Sequence, residues 1–141
     1  MQYAVEVLKV KHIMVVGHYG CGGVQAVLNE ARFGLIDNWL RHVGDVKEKH
    51  IEQLNALPEQ ERLNSLIELN VIEQVRNVCR TNIVQDAWAK GQELTIHGWV
   101  YGLANGIPTN PSMYKVLGLS DKINHYNADV RDYEYVKNIL E

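Results

Sequence analysis

A twelve-residue stretch decides the fold: residues 12–23 read HIMVVGHYGCGG. Its apolar, largely β-branched beginning predicts a short buried strand that ends at Gly17. The loop that follows holds His18 and Cys21 among several glycines, which let the backbone turn tightly. We expect this loop to lie at the carboxyl end of a strand, where an α/β sheet commonly places its functional residues.

Apolar periodicity predicts helices and a second strand on both sides of this stretch. A helical spacing covers residues 2–10, and a helix is predicted to start close to Gly22 and to fade near residues 33–34. Further downstream, we predict three helices: one over residues 36–50, one that starts at the Pro58-Glu59 pair, and one over 83–89. A strand is predicted over residues 94–101. Strands that alternate with helices indicate an α/β fold with a parallel sheet. After Tyr101 the pattern predicts turns and then a weak helix.

Composition and charge restrict the classes of partner. The chain has 141 residues, a formal charge of -3 and a pI of about 6.1, and its basic residues are scattered, so we expect no nucleic-acid or other polyanionic partner. No apolar stretch approaches the roughly 20 residues that span a bilayer, and no signal pattern opens the chain. We therefore expect a cytoplasmic protein without a membrane partner. Because the chain has only two cysteines, Cys21 and Cys79, we expect no disulfide framework. For Cys21, metal binding is favoured over disulfide bonding.

His18 and Cys21 are candidate metal ligands. Zinc accepts imidazole nitrogen and thiolate sulfur together, and the glycines around the pair leave backbone amides that point into the loop. A His-x-x-Cys spacing alone is equally compatible with a buried histidine beside an inert thiol. Taken without context, the spacing leaves both interpretations open.

The complete segment Gly-His-x-x-Cys-Gly-Gly at residues 17–23 resembles the second zinc-ligand motif of β-class carbonic anhydrases. Further similarity lies in residues 37–40 (DNWL), 70–75 (NVIEQV), the Ala87-Trp88 pair and 97–101 (HGWVY). The resemblance implies a truncated β-carbonic-anhydrase-like parallel sheet flanked by helices, with an incomplete domain over residues 1–107 and a divergent C-terminal tail, 108–141, packing on it. It also implies Zn²⁺, with carbon dioxide and bicarbonate as substrates, and a homo-oligomer, since bacterial members of the family form dimers or tetramers.

One segment of the family pattern is missing from this sequence. Family members carry a Cys-x-Asp-x-Arg segment on an earlier strand, which supplies another zinc cysteine and an aspartate–arginine pair. Cys79 does not reproduce this spacing, and its position among Val75 and Val78 predicts a core residue. His97, His42 or an acidic side chain are possible substitutes for the absent ligand, although each histidine is better explained by packing or surface exposure. Only His18 and Cys21 are therefore expected to bind metal, and no residue is assigned as catalytic.

Three residues are assigned to small-molecule binding on the basis of the resemblance. We expect the amides of Gly22 and Gly23 to face substrate, and Tyr101 to match a tyrosine that holds a regulatory bicarbonate in some bacterial relatives. For Tyr101 the alternative is a tyrosine at a strand end whose hydroxyl meets solvent or backbone.

Loss of the earlier segment predicts weak zinc binding and little or no hydration of carbon dioxide, because zinc ordinarily needs at least three protein ligands. It also leaves an open, hydrophobic strand edge, which predicts self-association. A truncated or reinitiated reading frame is the preferred explanation of the missing segment. The alternatives are a non-catalytic oligomerisation or interaction module and a gene remnant.

Overall fold

The computed structural model describes residues 1–102 and the backbone of residues 114–116. In this part of the chain, six helices and three strands follow one another. They are α1 (Gln2–Glu6), β1 (His12–His18), α2 (Gly22–Leu28), α3 (Ile36–Lys49), α4 (Ile51–Asn55), α5 (Glu59–Cys79), α6 (Asn82–Ala89), β2 (Thr95–Tyr101) and β3 (Tyr114–Val116).

The strands form one sheet in the order β1-β2-β3. β1 and β2 are parallel, with His12 beside Thr95 at one end and His18 beside Tyr101 at the other. The predicted parallel α/β architecture is thus confirmed. β3 pairs antiparallel with β2, placing Tyr114 beside Tyr101. The sequence pattern predicts turns and a weak helix after Tyr101, and the strand at 114–116 corrects that expectation. The rest of the predicted tail, 117–141, lies outside the described residues.

Helix α5 packs closely against both parallel strands at two glycines. A Cβ atom at Gly17 would lie 2.6 Å from Cγ2 of Val71, and one at Gly98 would lie 3.0 Å from Cγ2 of Val75. Real Cβ atoms rarely approach another carbon so closely, because the two atoms would overlap. The absence of a side chain at these two positions therefore allows the helix to rest directly on the sheet.

The main core lies between the sheet and the helices. Its fully buried members include Leu54 and Leu66 from the helices and Ile96 and Val100 from β2. Trp99 is also buried, and Trp88 packs against the core.

The prediction that β1 is buried is wrong for one of its faces. Met14 and Val16 are 37% and 57% exposed, whereas the residues of β2 from Ile96 to Val100 are all buried. The difference follows from position, because β2 is central and β1 lies at the edge of the sheet in the described part of the chain. Local apolar composition cannot distinguish a central strand from an edge strand.

Two helix boundaries also differ from the prediction. α2 ends at Leu28 because Glu30 has a positive φ of 54° and the Ala31 N–H donates to the Ala26 carbonyl at 2.9 Å, the arrangement that closes many helices. α1 ends at Glu6 rather than near residue 10. Gly91, just after the end of α6, has a left-handed φ of 74°, as glycines that close helices commonly do. No helix in the described ranges is long and apolar enough to span a membrane.

Candidate metal centre

His18 and Cys21 are held by two different elements. His18 is the last residue of β1, and Cys21 immediately precedes α2 as its N-cap residue. Between them Gly20 has a φ of 70°, a left-handed conformation that favours glycine. The turn that joins the strand to the helix therefore keeps the predicted pair of donors together in one loop.

A backbone hydrogen bond orients the imidazole of His18. Nδ1 of His18 lies 3.1 Å from the carbonyl oxygen of Tyr19. Since a carbonyl can only accept, Nδ1 carries a proton, and in the neutral ring this leaves the lone pair on Nε2. Metal-binding histidines are commonly oriented in this way, with the second ring nitrogen donating to a carbonyl or carboxylate. His18 is thus in the tautomer that a metal bound at Nε2 requires.

Two hydrogen bonds of Tyr19 connect the loop to β2 and to α5. Its N–H donates to the carbonyl of Tyr101 on β2 at 2.8 Å, and its hydroxyl donates to Oε1 of Glu68 on α5 at 2.7 Å. Burial, and then the adjacent Glu68 carboxylate, raise the pKa of Tyr19 well above its usual value. The contact between Tyr19 and Glu68 was not predictable from the sequence, because 49 residues separate them and no local pattern links them.

Cys21 is a free cysteine whose side chain packs against the edge of the core. A Cβ atom at Gly23 would lie 3.2 Å from Cδ2 of Leu40 and 4.0 Å from Sγ of Cys21. A side chain at position 23 would therefore crowd Leu40 and touch the thiol at an ordinary contact distance. Gly22 and Gly23, the residues predicted to face substrate, form the first turn of α2 directly after the thiol.

The other histidines within residues 1–102 do not complete the pair. His97 is fully buried, and Nδ1 of His12 lies 3.0 Å from its Nε2. His97 precedes Tyr101 by four residues on the strand, so it lies roughly 13 Å along β2 from the level of His18. Burial, and then the charge of His12, lower the pKa of His97. His42 lines a groove between α3 and α5 instead.

Cys79 also lies apart from the loop, at the last residue of α5, where it packs against the core. Burial raises the pKa of its thiol, which favours the inert, protonated form. The position agrees with the core role that the sequence predicts for this cysteine.

The side chains of His18 and Cys21 are of the types that bind zinc, but they are fewer than a zinc site requires. One imidazole and one thiol are suitable zinc donors, yet across residues 1–102 no three histidine, cysteine, aspartate or glutamate side chains converge on one point. A structural zinc site uses four protein ligands and a catalytic one uses three. The loop therefore offers two of the three or four donors that a zinc site requires.

Tyr101 lies at the end of β2 with its Cα beside that of His18. Its carbonyl receives the Tyr19 N–H, and β3 pairs with it on the other side. The strand-end position predicted for Tyr101 is confirmed.

Comparison with known proteins relates this geometry to one family. The family model described as carbonic anhydrase matches residues 1–107. A carbonic anhydrase of Emericella nidulans is 46% identical over 108 residues, which are 76% of this chain and 47% of the relative. A carbonic anhydrase of Pseudomonas aeruginosa is 34% identical and aligns with 75% of this chain and 49% of its own length. The chain thus spans about half the length of these relatives.

Solved structures show the same similarity. A Coccomyxa β-carbonic anhydrase in complex with acetazolamide superposes with a TM-score of 0.73 at 33% identity, over 99% of this chain and 64% of its own. A tetrameric β-carbonic anhydrase of Sordaria macrospora gives a TM-score of 0.69 at 34% identity, over 84% of this chain and 57% of its own. With the His-x-x-Cys loop at the end of a parallel strand, these matches show that the chain belongs to the β-class of the carbonic anhydrase family.

Proposed function

We propose that this chain, acting alone, holds zinc weakly through His18 and Cys21 and hydrates carbon dioxide slowly or not at all. The observation that supports the proposal is the number of donors: two in the loop, and no group of three in residues 1–102. In this family zinc supplies a bound water whose pKa is lowered to about 7, and two protein donors are too few to hold the ion for that purpose.

Zinc titration and stopped-flow hydration of carbon dioxide test this proposal on the full chain. We expect substoichiometric zinc after dialysis and a hydration rate close to that of buffer. His18→Ala and Cys21→Ala should abolish the residual zinc, whereas Cys79→Ala, which removes a thiol outside the loop, should leave it unchanged. Stoichiometric zinc together with enzyme-like turnover would show that the proposal is wrong.

The remaining site assignments extend the same proposal. The amides of Gly22 and Gly23 are placed to face a small anion or carbon dioxide beside the loop, because both residues follow the Cys21 thiol in the first turn of α2. Tyr101 would hold bicarbonate only if partners that the chain lacks were supplied by another chain. We place this function in the cytoplasm, in accordance with the composition and with the absence of a spanning helix in the described ranges.

A second candidate function is that of a non-catalytic, self-associating module. Four large apolar side chains lie exposed within seven residues, and we call them the apolar loop patch: Phe33, Leu35, Ile36 and Trp39. Leu35 is 87% exposed and Trp39 is 73% exposed. Patches of this kind commonly mark protein–protein interfaces. The Sordaria macrospora relative is tetrameric, and we propose a homo-oligomer for this chain as well.

Sedimentation of the purified chain tests self-association directly, and co-purification with an intact carbonic anhydrase tests the module hypothesis. We expect a concentration-dependent shift from monomer to dimer. A chain that stays monomeric at all accessible concentrations would contradict the homo-oligomer.

A further inference from the structure

We propose that Lys47 of α3 is a positioning residue for the Cys21 thiol, because its ammonium group holds the carboxyl-terminal end of α2 and Cys21 lies at the amino-terminal end of the same helix. The inference rests on the function proposed above, in which His18 and Cys21 are the metal donors. It adds to that pair a residue of another helix, which sets where the thiol lies without binding the metal itself.

The ammonium group of Lys47 contacts three acceptors. Nζ donates to the carbonyl oxygens of Val27 at 3.3 Å and Leu28 at 3.2 Å, and to Oε1 of Glu30 at 3.0 Å. A lysine has three N–H donors, so these contacts can use all of them. The Lys47 side chain is only 15% exposed, whereas that of Glu30 is 83% exposed. The bonds to the carbonyls are therefore charge-assisted and partly shielded from water, which makes them stronger than an exposed ion pair.

The contact lies at the end of α2 that most needs support. α2 has seven residues, and a helix of this length is unstable in water unless other elements hold it. The carbonyls of the last turn of a helix lack partners within the helix, and a cation placed there also interacts favourably with the negative end of the helix dipole. Lys47 meets both requirements at Val27 and Leu28, the last two residues of α2. We therefore expect the removal of its charge and donors to loosen the helix.

α3 contacts α2 at both ends of the shorter helix. At the amino-terminal end, Cδ2 of Leu40 lies 3.2 Å from the position that a Cβ atom would take at Gly23, two residues after the thiol. Lys47 follows Leu40 by seven positions, which is about two turns, so both lie on the same face of α3. Seven residues of helix rise by about 10 Å, and α2 has this same length. The two contacts together fix the position and tilt of α2 against α3.

The position of α2 sets the distance between the two donors. His18 belongs to β1, and its imidazole is oriented by the Tyr19 carbonyl, whereas Cys21 is the N-cap residue of α2. The Cys21 carbonyl accepts the Gln25 N–H at 2.9 Å, and this bond ties the backbone of the cysteine to the first turn of the helix. Metal sites require ligand distances within a few tenths of an ångström. A helix that shifts or frays would therefore move the thiol relative to the imidazole and weaken the pair.

Amide hydrogen exchange of the full chain, followed by NMR, tests the inference without metal. The reporter is the Gln25 amide, because its acceptor is the Cys21 carbonyl. Lys47→Met keeps the length of the side chain but removes its charge and donors, and should accelerate Gln25 exchange by about tenfold relative to the slowest amides of α5. Lys47→Arg keeps both and should stay close to the wild-type ratio. Lys49→Met is the matched control, because it removes a cation of the same helix turn that bonds to Glu73, and it should leave the ratio unchanged.

Cobalt binding tests the effect on the thiol itself. Co²⁺ alone serves as the probe, since a thiolate bound to cobalt gives a charge-transfer absorption in the near ultraviolet that a histidine does not give. All chains carry Cys79→Ala, which leaves Cys21 as the only thiol. We expect Lys47→Met to weaken Co²⁺ binding about threefold to tenfold, less than the loss of a direct partner of a ligand usually causes. Lys49→Met should keep the affinity of the parent chain even if its stability falls.

The outcomes separate this inference from the proposed function. A parent chain without the charge-transfer band would refute metal binding by Cys21, and the inference with it. Equal Co²⁺ affinity of the parent and Lys47→Met, or unaltered Gln25 exchange in Lys47→Met, would overturn the role of Lys47 alone. Equal effects of Lys47→Met and Lys49→Met would assign both to a general loss of stability and would also overturn it. If Lys47→Met lost its helical circular dichroism, Lys47→Gln, which keeps N–H donors without the charge, would replace it and should give a smaller change in the same direction.

Discussion

At the scale of single residues, Gly17 determines how closely α5 approaches β1. Because a Cβ atom there would lie 2.6 Å from Cγ2 of Val71, Gly17→Ala forces the helix or the Val71 rotamer to move. We expect this substitution to lower the free energy of unfolding by about 1–3 kcal/mol, as overpacking of a core usually does. Urea unfolding followed by circular dichroism measures the change.

Gly44→Ala is the matched control. Gly44 lies within α3, and no heavy atom lies within 4 Å of the position of an added Cβ. Alanine is favoured over glycine inside a helix by up to about 1 kcal/mol, so this variant should be unchanged or more stable. If both variants had the same effect, close packing at Gly17 would not be the cause.

Tyr19 provides a second prediction at this scale. Tyr19→Phe removes the hydroxyl bond to Glu68 but leaves the backbone contacts that orient His18. A hydrogen bond of this kind contributes about 1 kcal/mol, so we expect zinc affinity of the loop to fall by about fivefold. Titration with Zn²⁺ against a competing chromophoric chelator measures the affinity.

Tyr3→Phe makes the same chemical change on exposed α1 and should leave zinc affinity unaltered. Equal affinity of Tyr19→Phe and the wild-type chain would show that the Glu68 contact does not support the loop.

At the scale of elements, Glu73 of α5 joins three cationic or imidazole side chains near the break between α3 and α4. Its carboxylate accepts from Lys49 Nζ at 2.6 Å and His50 Nε2 at 3.1 Å, and it also pairs with Arg76. Burial alone would raise the pKa of Glu73, but these hydrogen bonds outweigh it and lower the pKa from 4.5 to about 2. The ionised carboxylate of Glu73 therefore links α5 to the corner between α3 and α4.

The direction of this pKa shift predicts acid sensitivity. A carboxyl whose pKa is lower in the folded chain contributes stability above its unfolded pKa and loses it as pH falls toward the folded value. The contribution of Glu73 should therefore be complete above about pH 5 and disappear progressively between pH 4.5 and about 2. Urea midpoints measured across this range test the prediction.

Glu73→Gln should lower stability at pH 7 and flatten this part of the pH profile. Glu61→Gln, an exposed change near the start of the same helix, should follow the wild-type profile. A wild-type slope retained by Glu73→Gln would assign the acid sensitivity to other carboxyl groups.

At the scale of the whole molecule, the apolar loop patch lies outside the core. The Asp37 carboxylate accepts the N–H groups of Phe33 and Gly34 at 3.0–3.1 Å, which holds the backbone of the loop in place. Trp39 also lines the groove of about 330 Å³ between α3 and α5. The patch is thus a fixed apolar surface that borders a groove.

Leu35→Ser/Trp39→Ser should reduce the binding of a hydrophobic dye and change the free energy of unfolding by only about 0.5 kcal/mol, because both side chains face solvent. Dye fluorescence and urea unfolding measure the two effects. Leu40→Ser, at the adjacent buried residue, should instead cost about 2–5 kcal/mol. A large loss of stability in the double variant would place the patch within the folded core.

Most elements were predictable from local pattern. The strand from His12, the helices from Gly22 and Ile36, and the left-handed Gly91 follow from apolar spacing and turn residues, which act within a few positions along the chain. The exposed face of β1 and the strand at 114–116 were not predictable in this way. Both depend on which strand lies next to which, a contact between residues far apart in the sequence.

The sequence by itself determined the family and the candidate pair of metal donors, because His18 and Cys21 lie three positions apart in a loop whose tight turn depends on the glycines between and beside them. Only the tertiary structure decided which contacts support that pair and whether another possible ligand lies near it. The tautomer of His18, the anchoring of Tyr19 on Glu68 and the distant position of His97 depend on packing between separate elements. Hydrogen bonding, burial and pKa are properties of the assembled fold, and chain spacing alone does not specify them.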